Sequence, residues 1–224
     1  MDLASTKSIR QCAAKLSRSF TKIDILINNA GVMACPLTRT EDGFEMQLGT
    51  NHLGHFLLTN LLLPLVQSAG PGSRIITVSS MAHEFAQMQW EDLNWEKTPY
   101  SAFGAYQQSK LANVLFTVEL ARRLEGTGVS AYCLHPGVIG TDLGRHIIDS
   151  YGILARVGAL LTWPFLKSVE AGAQTTIYCS VEETIAGHTG RYYSDCRERV
   201  LRPHASNIQD AQKLWMESET LTGL

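Results

Sequence analysis

The sequence predicts an α/β fold, a doubly wound parallel sheet with helices on both faces. Two observations carry this. Short β-branched runs alternate with helical patterns, which implies βαβ crossovers and parallel strands. The polar residues that close those runs then fall on one edge of the sheet, beyond the carboxyl ends of its strands, where ligands of such sheets bind. No repeat, low-complexity tract or linker divides the 224 residues, which suit a single domain, 1–224.

Ser5 to Ser19 is amphipathic and predicts a first helix. Ile23–Asn28 is an apolar run closed by Asn28-Asn29-Ala30-Gly31, a strand ending in a turn. Glu41 to Gln67 predicts one long helix with Gly49, Gly54 and Pro64 as its weak points. Arg74–Val78 is a second strand, closed by Ser79-Ser80. Ser101 to Leu124 is rich in helix formers and stops before Gly126. Val129–Leu134 is a third strand, ended by His135-Pro136-Gly137.

Ile147–Leu166 is apolar but interrupted by Asp149, Arg156 and Pro164. A spanning helix needs about 20 residues nearly free of charge. This segment therefore predicts a hydrophobic flap or substrate-pocket helix, with peripheral membrane contact as the alternative. Val169 to Ser180 predicts a helix, Gly190–Tyr193 a short fourth strand, and Asn207 to Thr220 a final helix.

Composition narrows the function. Formal net charge is −2 with no basic run, so nucleic-acid binding has no electrostatic support. Charged residues are 18%, against roughly 25% in ordinary domains, which points to an apolar surface for a greasy substrate, a partner or a membrane. Five dispersed cysteines without a C-x-x-C pair read as reduced intracellular thiols. His52-x-x-His55 lacks a third ligand at sensible spacing, so no metal is expected. Met1-Asp2-Leu3-Ala4-Ser5 leads directly into a polar helix rather than a signal peptide.

The chemistry concentrates in Tyr106-Gln107-Gln108-Ser109-Lys110. A free phenol has a pKa of about 10 and is seldom ionised at neutral pH. On a helix, i and i+4 side chains share a face, and an ammonium there favours the phenolate. A serine hydroxyl nearby could hydrogen-bond the oxygen of a reacting carbonyl or alcohol. The pair alone is a weak signal, and the surrounding motifs give it weight.

Asn28-Asn29-Ala30-Gly31, Asn51, Ser80, Tyr106-x-x-x-Lys110 and Pro136-Gly137-x-x-x-Thr141 fall in the order and approximate spacing of the short-chain dehydrogenase/reductases. The phrases Asn51-His52-Leu53-Gly54-His55-Phe56 and Ser109-Lys110-Leu111-Ala112-Asn113 resemble the retinol dehydrogenase branch. The resemblance implies a Rossmann-like sheet and assigns roles. Tyr106 is the acid/base, Lys110 lowers its pKa and binds the nicotinamide ribose, and Ser80, rather than Ser79, is the catalytic serine. Asn51 bends its helix and holds a water in a proton relay. Asp2 and Leu3 touch the adenine, and Asn28, Ala30 and Gly31 lie beside the cofactor. Pro136, Gly137 and Val138 face the carboxamide, with Thr141 near the phosphates. His135 is structural.

The resemblance also implies a chain truncated at its amino terminus. The family's glycine-rich turn, T-G-x-x-x-G-x-G, does not occur, and strands 4-5-6-7 of the family's order 3-2-1-4-5-6-7 are retained. Two consequences are expected: an apolar edge strand at Ile23–Asn28, open to self-association, and cofactor affinity weakened by at least a few hundredfold.

The implied function is hydride transfer between NADP(H), with NAD as the alternative, and a lipophilic alcohol, aldehyde or ketone of retinoid type. The competing readings are a catalytically inactive product acting as an interaction protein through its edge strand, and a lipid-binding module using Ile147–Leu166. An intracellular, cytoplasmic chain is expected, with endoplasmic reticulum association for a longer form.

Overall fold

A computed structural model describes residues 1–139 and 167–224. Thr141, Trp163 and the Ile147–Leu166 segment lie outside the described residues. Four parallel strands form the sheet: β1 (Ile25–Asn28), β2 (Arg74–Val78), β3 (Ser130–His135) and β4 (Arg191–Ser194). A fifth, β5 (Arg197–Arg199), returns antiparallel beside β4, giving the order β1-β2-β3-β4-β5.

The central strands β2 and β3 are buried, as parallel strands covered on both faces should be. Alternate residues serve opposite faces. Ile75 and Ala131 pack with Phe56, Phe116 and Leu120 of two helices, α3 (Gly54–Ser68) and α4 (Ala102–Arg123). Ile76, Tyr132 and Leu134 pack on the other side with Cys179 of α5 (Val169–Val181). Helix α1 (Thr6–Ser19) lies on α3 through Ile9 and Ala13, and α6 (Ile208–Thr222) lies on α4. Trp215 of α6 closes an aromatic cluster with Phe56 and Phe116, at centroid distances of 5.0 and 5.7 Å. Such pairs contribute roughly 0.5–1.5 kcal/mol each beyond their buried area. Serine and asparagine caps start the main helices: Ser5, Ser101, Ser168 and Asn207 each accept an amide of the first turn.

Three expectations need correction. The single helix from Glu41 to Gln67 is instead a short α2 (Met46–Leu48), a π-helical turn (Gly49–Leu53) and then α3. Gly49 and Gly54 mark the two junctions. At Gly54 a β-carbon would lie 2.6 Å from the Leu3 carbonyl, so close packing demands glycine there. The sheet also gains β5, which the sequence pattern concealed. Its hairpin turns through Asp195 and Cys196, both at positive φ (53° and 55°), as a two-residue turn requires, but without the glycine that signals one. The first strand starts at Ile25 rather than Ile23.

The edge expectation is met in geometry. Among the described residues β1 pairs only with β2, and Ile25 and Ile27 are 39% and 44% exposed.

Candidate active site

β1, β2 and β3 run parallel, so Asn28, Val78-Ser79-Ser80 and His135 emerge at one sheet edge. Helix α4 crosses beneath that edge. Its positions 106, 109, 110 and 113 share one buried face.

Tyr106 is 4% exposed, and Ser80 is near enough to influence its ionisation. Ser80 caps the 3₁₀ turn Met81–Phe85, accepting the Ala82 amide at 3.2 Å. Ser79 faces inward and donates to the Lys110 carbonyl at 2.7 Å. The two adjacent serines thus divide, one toward the phenol and one toward the backbone that carries the lysine.

Lys110 is 5% exposed, and its ammonium donates to the Val78 carbonyl at 3.1 Å. Burial pulls its pKa down to about 8. Nζ lies 5.7 Å from the centroid of the Tyr106 ring. The expectation that Lys110 lowers the phenol's pKa is not met in this arrangement. Burial raises the Tyr106 pKa, and the neighbouring Ser80 hydroxyl only partly opposes it. The amine is occupied by a carbonyl, so it gives the phenolate little support.

Asn51 sits at the centre of the π turn and is fully buried. Its side chain accepts from the Val32 amide at 2.8 Å, and donates to the Val32 carbonyl and the Ser109 hydroxyl, both at 2.9 Å. It thereby bolts the loop after β1 to α4. Its backbone carbonyl accepts from His55 Nδ1 at 3.0 Å. π turns recur at functional sites because they displace one residue from the helical ladder.

Asn28 donates to Thr59 Oγ1 at 2.8 Å, while its Oδ1 is buried without a partner. Ala30 is exposed, and Gly31 lies above Asn51 and Lys110. A β-carbon there would approach Asn51 Oδ1 to 2.9 Å and Lys110 Nζ to 3.7 Å. Gly137 has φ +96°, and the adjacent Val138 carbonyl accepts the Lys167 amide at 2.8 Å. Asp2 caps the Ala4 amide, and Leu3 rests on Gly54.

A cleft of about 560 Å³ is lined by Met81, His83, His135, Val138, Tyr192 and Arg202 among others, while Ser80, Tyr106, Lys110 and Asn51 do not line it. Sequence reasoning missed Ser109 and Asn113. Their positions three and seven residues after Tyr106 place them on its helical face, and that spacing is the available signal.

The arrangement fits the nicotinamide end of a dinucleotide. A glycine floor, a buried ammonium and a phenol–hydroxyl pair converge beyond the strand ends. No residues are assigned to the pyrophosphate, because no glycine-rich turn of the family's form is present in the sequence.

The profile of the short chain dehydrogenase family matches residues 1–151, and the chain belongs to that family. Its relatives place it in the retinol dehydrogenase-like branch. It is 51% identical to retinol dehydrogenase 14 of Mus musculus over 225 residues, spanning all of this chain and 66% of that protein. It is 50% identical to retinol dehydrogenase 13 of Homo sapiens over 226 residues, spanning 68% of that protein. The chain thus spans about two thirds of the length of these curated relatives. Among solved structures, an uncharacterized protein from Mycobacterium paratuberculosis matches all of this chain and 74% of its own, at TM-score 0.76 and 38% identity. The RhlG/NADP complex of Pseudomonas aeruginosa matches 85% of this chain and 72% of its own, at TM-score 0.62 and 25% identity.

Proposed function

We propose that this chain carries the catalytic centre of an NADP-linked oxidoreductase acting on a lipophilic, retinoid-like alcohol or aldehyde. The observation that carries the reading is the buried Tyr106 with the Lys110 ammonium 5.7 Å from its ring centroid on one helical face, at the carboxyl edge of a parallel sheet that also delivers Ser80. The names of the relatives supply the substrate class, and the NADP complex among the neighbours favours NADP over NAD.

A bound nicotinamide supplies or accepts the hydride. In carbonyl reduction, Tyr106 gives its proton to the substrate oxygen as charge develops there. The Ser80 hydroxyl donates a hydrogen bond to the same oxygen, an oxyanion-type stabilisation. A raised phenol pKa suits this direction, because the acid remains protonated at neutral pH. Lys110 leaves the Val78 carbonyl or shares it to hold the nicotinamide ribose, where its charge helps the phenolate that remains. The apolar side chains of Met81 and Val138 in the cleft offer contact to a hydrocarbon substrate.

The test is NADPH-dependent reduction of retinaldehyde by the purified chain, with Tyr106→Phe as control. Turnover abolished by that change supports the reading, and no turnover above the control at saturating NADPH rejects it for this chain.

The exposed isoleucines of β1 favour a second reading, an interaction protein that pairs through this strand. A monomer by light scattering, unchanged in Ile27→Lys, rejects it. Peripheral membrane contact remains a proposal tied to residues outside those described. No helix among the described residues is long and apolar enough to cross a membrane.

A further inference from the structure

Two buried side-chain amides hold the loop that follows β1, and the family pattern accounts for one of them. Asn51 grips Val32 by its amide and its carbonyl and reaches Ser109 on α4. Gln47, four residues earlier on α2, repeats the device. Its Oε1 accepts from the Ala34 amide at 2.8 Å. Its Nε2 donates to the Ala102 carbonyl at 2.8 Å and to the Tyr100 hydroxyl at 2.9 Å. Both side chains belong to fully buried residues. Ala102 opens α4, and in an α-helix its carbonyl is also the acceptor for the Tyr106 amide.

The partners fix which way the Gln47 amide points. Turned over, it would set Nε2 against the Ala34 N–H and Oε1 against the Ala102 carbonyl, two buried mismatches. Glu45 fixes Gln47 in turn. Its buried carboxylate accepts the backbone amides of Gln47 at 3.0 Å and Leu48 at 2.7 Å, and lies 3.0 Å from the Tyr100 hydroxyl. That hydroxyl is also 3.0 Å from the carbonyl of Cys35, the residue after Ala34. Ala34 has φ +52°, a left-handed conformation that a non-glycine residue keeps only where its surroundings hold it. The bond from its amide to Gln47 is such a hold.

We propose that Gln47 is a positioning residue for the cofactor end of the site. With Asn51 it forms two rungs from the loop after β1 to α4, and these keep Gly31 above Lys110 in register with the helical turn that carries Tyr106. The inference rests on the oxidoreductase reading for its effect on cofactor binding, and on the structure alone for the hold on the loop. The side-chain bonds of Gln47 end on backbone and on Tyr100, so its influence passes through the loop and the helix.

Amide hydrogen exchange of the wild-type chain tests the hold without any turnover. The Val32 and Ala34 amides should exchange on the order of tenfold more slowly than the Met33 amide between them. Equal rates at the three positions overturn the proposal.

The second readout is NADPH binding, followed by its fluorescence. Gln47→Met, of similar shape but without the two polar atoms, should raise the Kd and KM for NADPH on the order of tenfold, with a smaller fall in kcat at saturating NADPH. Leu120→Ala, a core change near the far end of α4, should lower Tm and leave the NADPH Kd in place. A lower Tm in Gln47→Met with the wild-type NADPH Kd shows a purely structural role and overturns the proposal. Should Gln47→Met fail to fold, Tyr100→Phe removes one of the three partners and should raise the same Kd about threefold, and no rise overturns the proposal. Should the wild-type chain not bind NADPH, the oxidoreductase reading fails together with the cofactor role, and the exchange rates still judge the hold on the loop.

Discussion

A phenol that exchanges a proton needs its hydroxyl at the reacting oxygen and a neighbour that governs its ionisation. Tyr106 meets the first need through Ser80, while the second is withheld as long as Lys110 bonds Val78. Tyr106→Phe should therefore cost on the order of 10²–10⁴ in kcat with little change in Tm, a split that steady-state kinetics and thermal unfolding would read together. Carbonyl reduction should hold at neutral pH and fall as pH rises through about 8, where the depressed Lys110 pKa takes its charge away. A profile flat across that range would remove Lys110 from the reaction. The adjacent serines separate by experiment. Ser80→Ala should lower kcat, whereas Ser79→Ala should cost about 1 kcal/mol of stability through the lost bond to the Lys110 carbonyl. The residues proposed for catalysis were legible because chemistry restricts their types and a helix restricts their spacing. Gln47 and Asn113 were not. A buried side-chain amide carries no pattern of its own, and its meaning depends on which backbone groups lie opposite.

At the scale of elements, apolar periodicity located α1, α4, α5 and α6, and polar caps fixed their starts to within a residue or two. It failed where hydrogen-bond geometry departs from the ladder. The π turn at Gly49–Leu53 follows no hydropathy period, and only its bracketing glycines hinted at a break. The β4–β5 hairpin went unread because Asp195-Cys196 occupies positions where Asn-Gly would be expected. That substitution is testable. A non-glycine residue in the left-handed region costs roughly 1–2 kcal/mol, partly offset by the greater freedom of glycine when unfolded. Cys196→Gly should thus raise stability by about 0.5–1 kcal/mol in denaturant unfolding, and an unchanged or lower midpoint would contradict the strain assigned to this turn.

For the whole molecule, buried imidazoles set the response to acid. Burial holds His52 to about 3 and His55 to about 4, both below the ordinary 6.5. Below pH 6.5 the unfolded chain therefore binds more protons than the native one, and stability falls with pH through that window toward about 3. The loss should amount to several kcal/mol at the acid end, because each tenfold difference in proton affinity between the two states is worth about 1.4 kcal/mol. Urea midpoints taken from neutral to mildly acidic pH would show it, and a constant midpoint would mean the rings are solvated.

Helix α6 is joined to this body by several kinds of contact. Trp215 fills the aromatic cluster, Ser218 meets His52, and the Thr222 and Gly223 carbonyls accept from Arg10 of α1. During synthesis it leaves the ribosome after every strand of the sheet, although the interior between α3 and α4 is unfinished without it. A nascent chain would display Phe56 and Phe116 to chaperones until that late segment arrives. Early termination codons upstream of Trp215 should then deplete the cellular pool through degradation, even though every proposed catalytic side chain has already been translated.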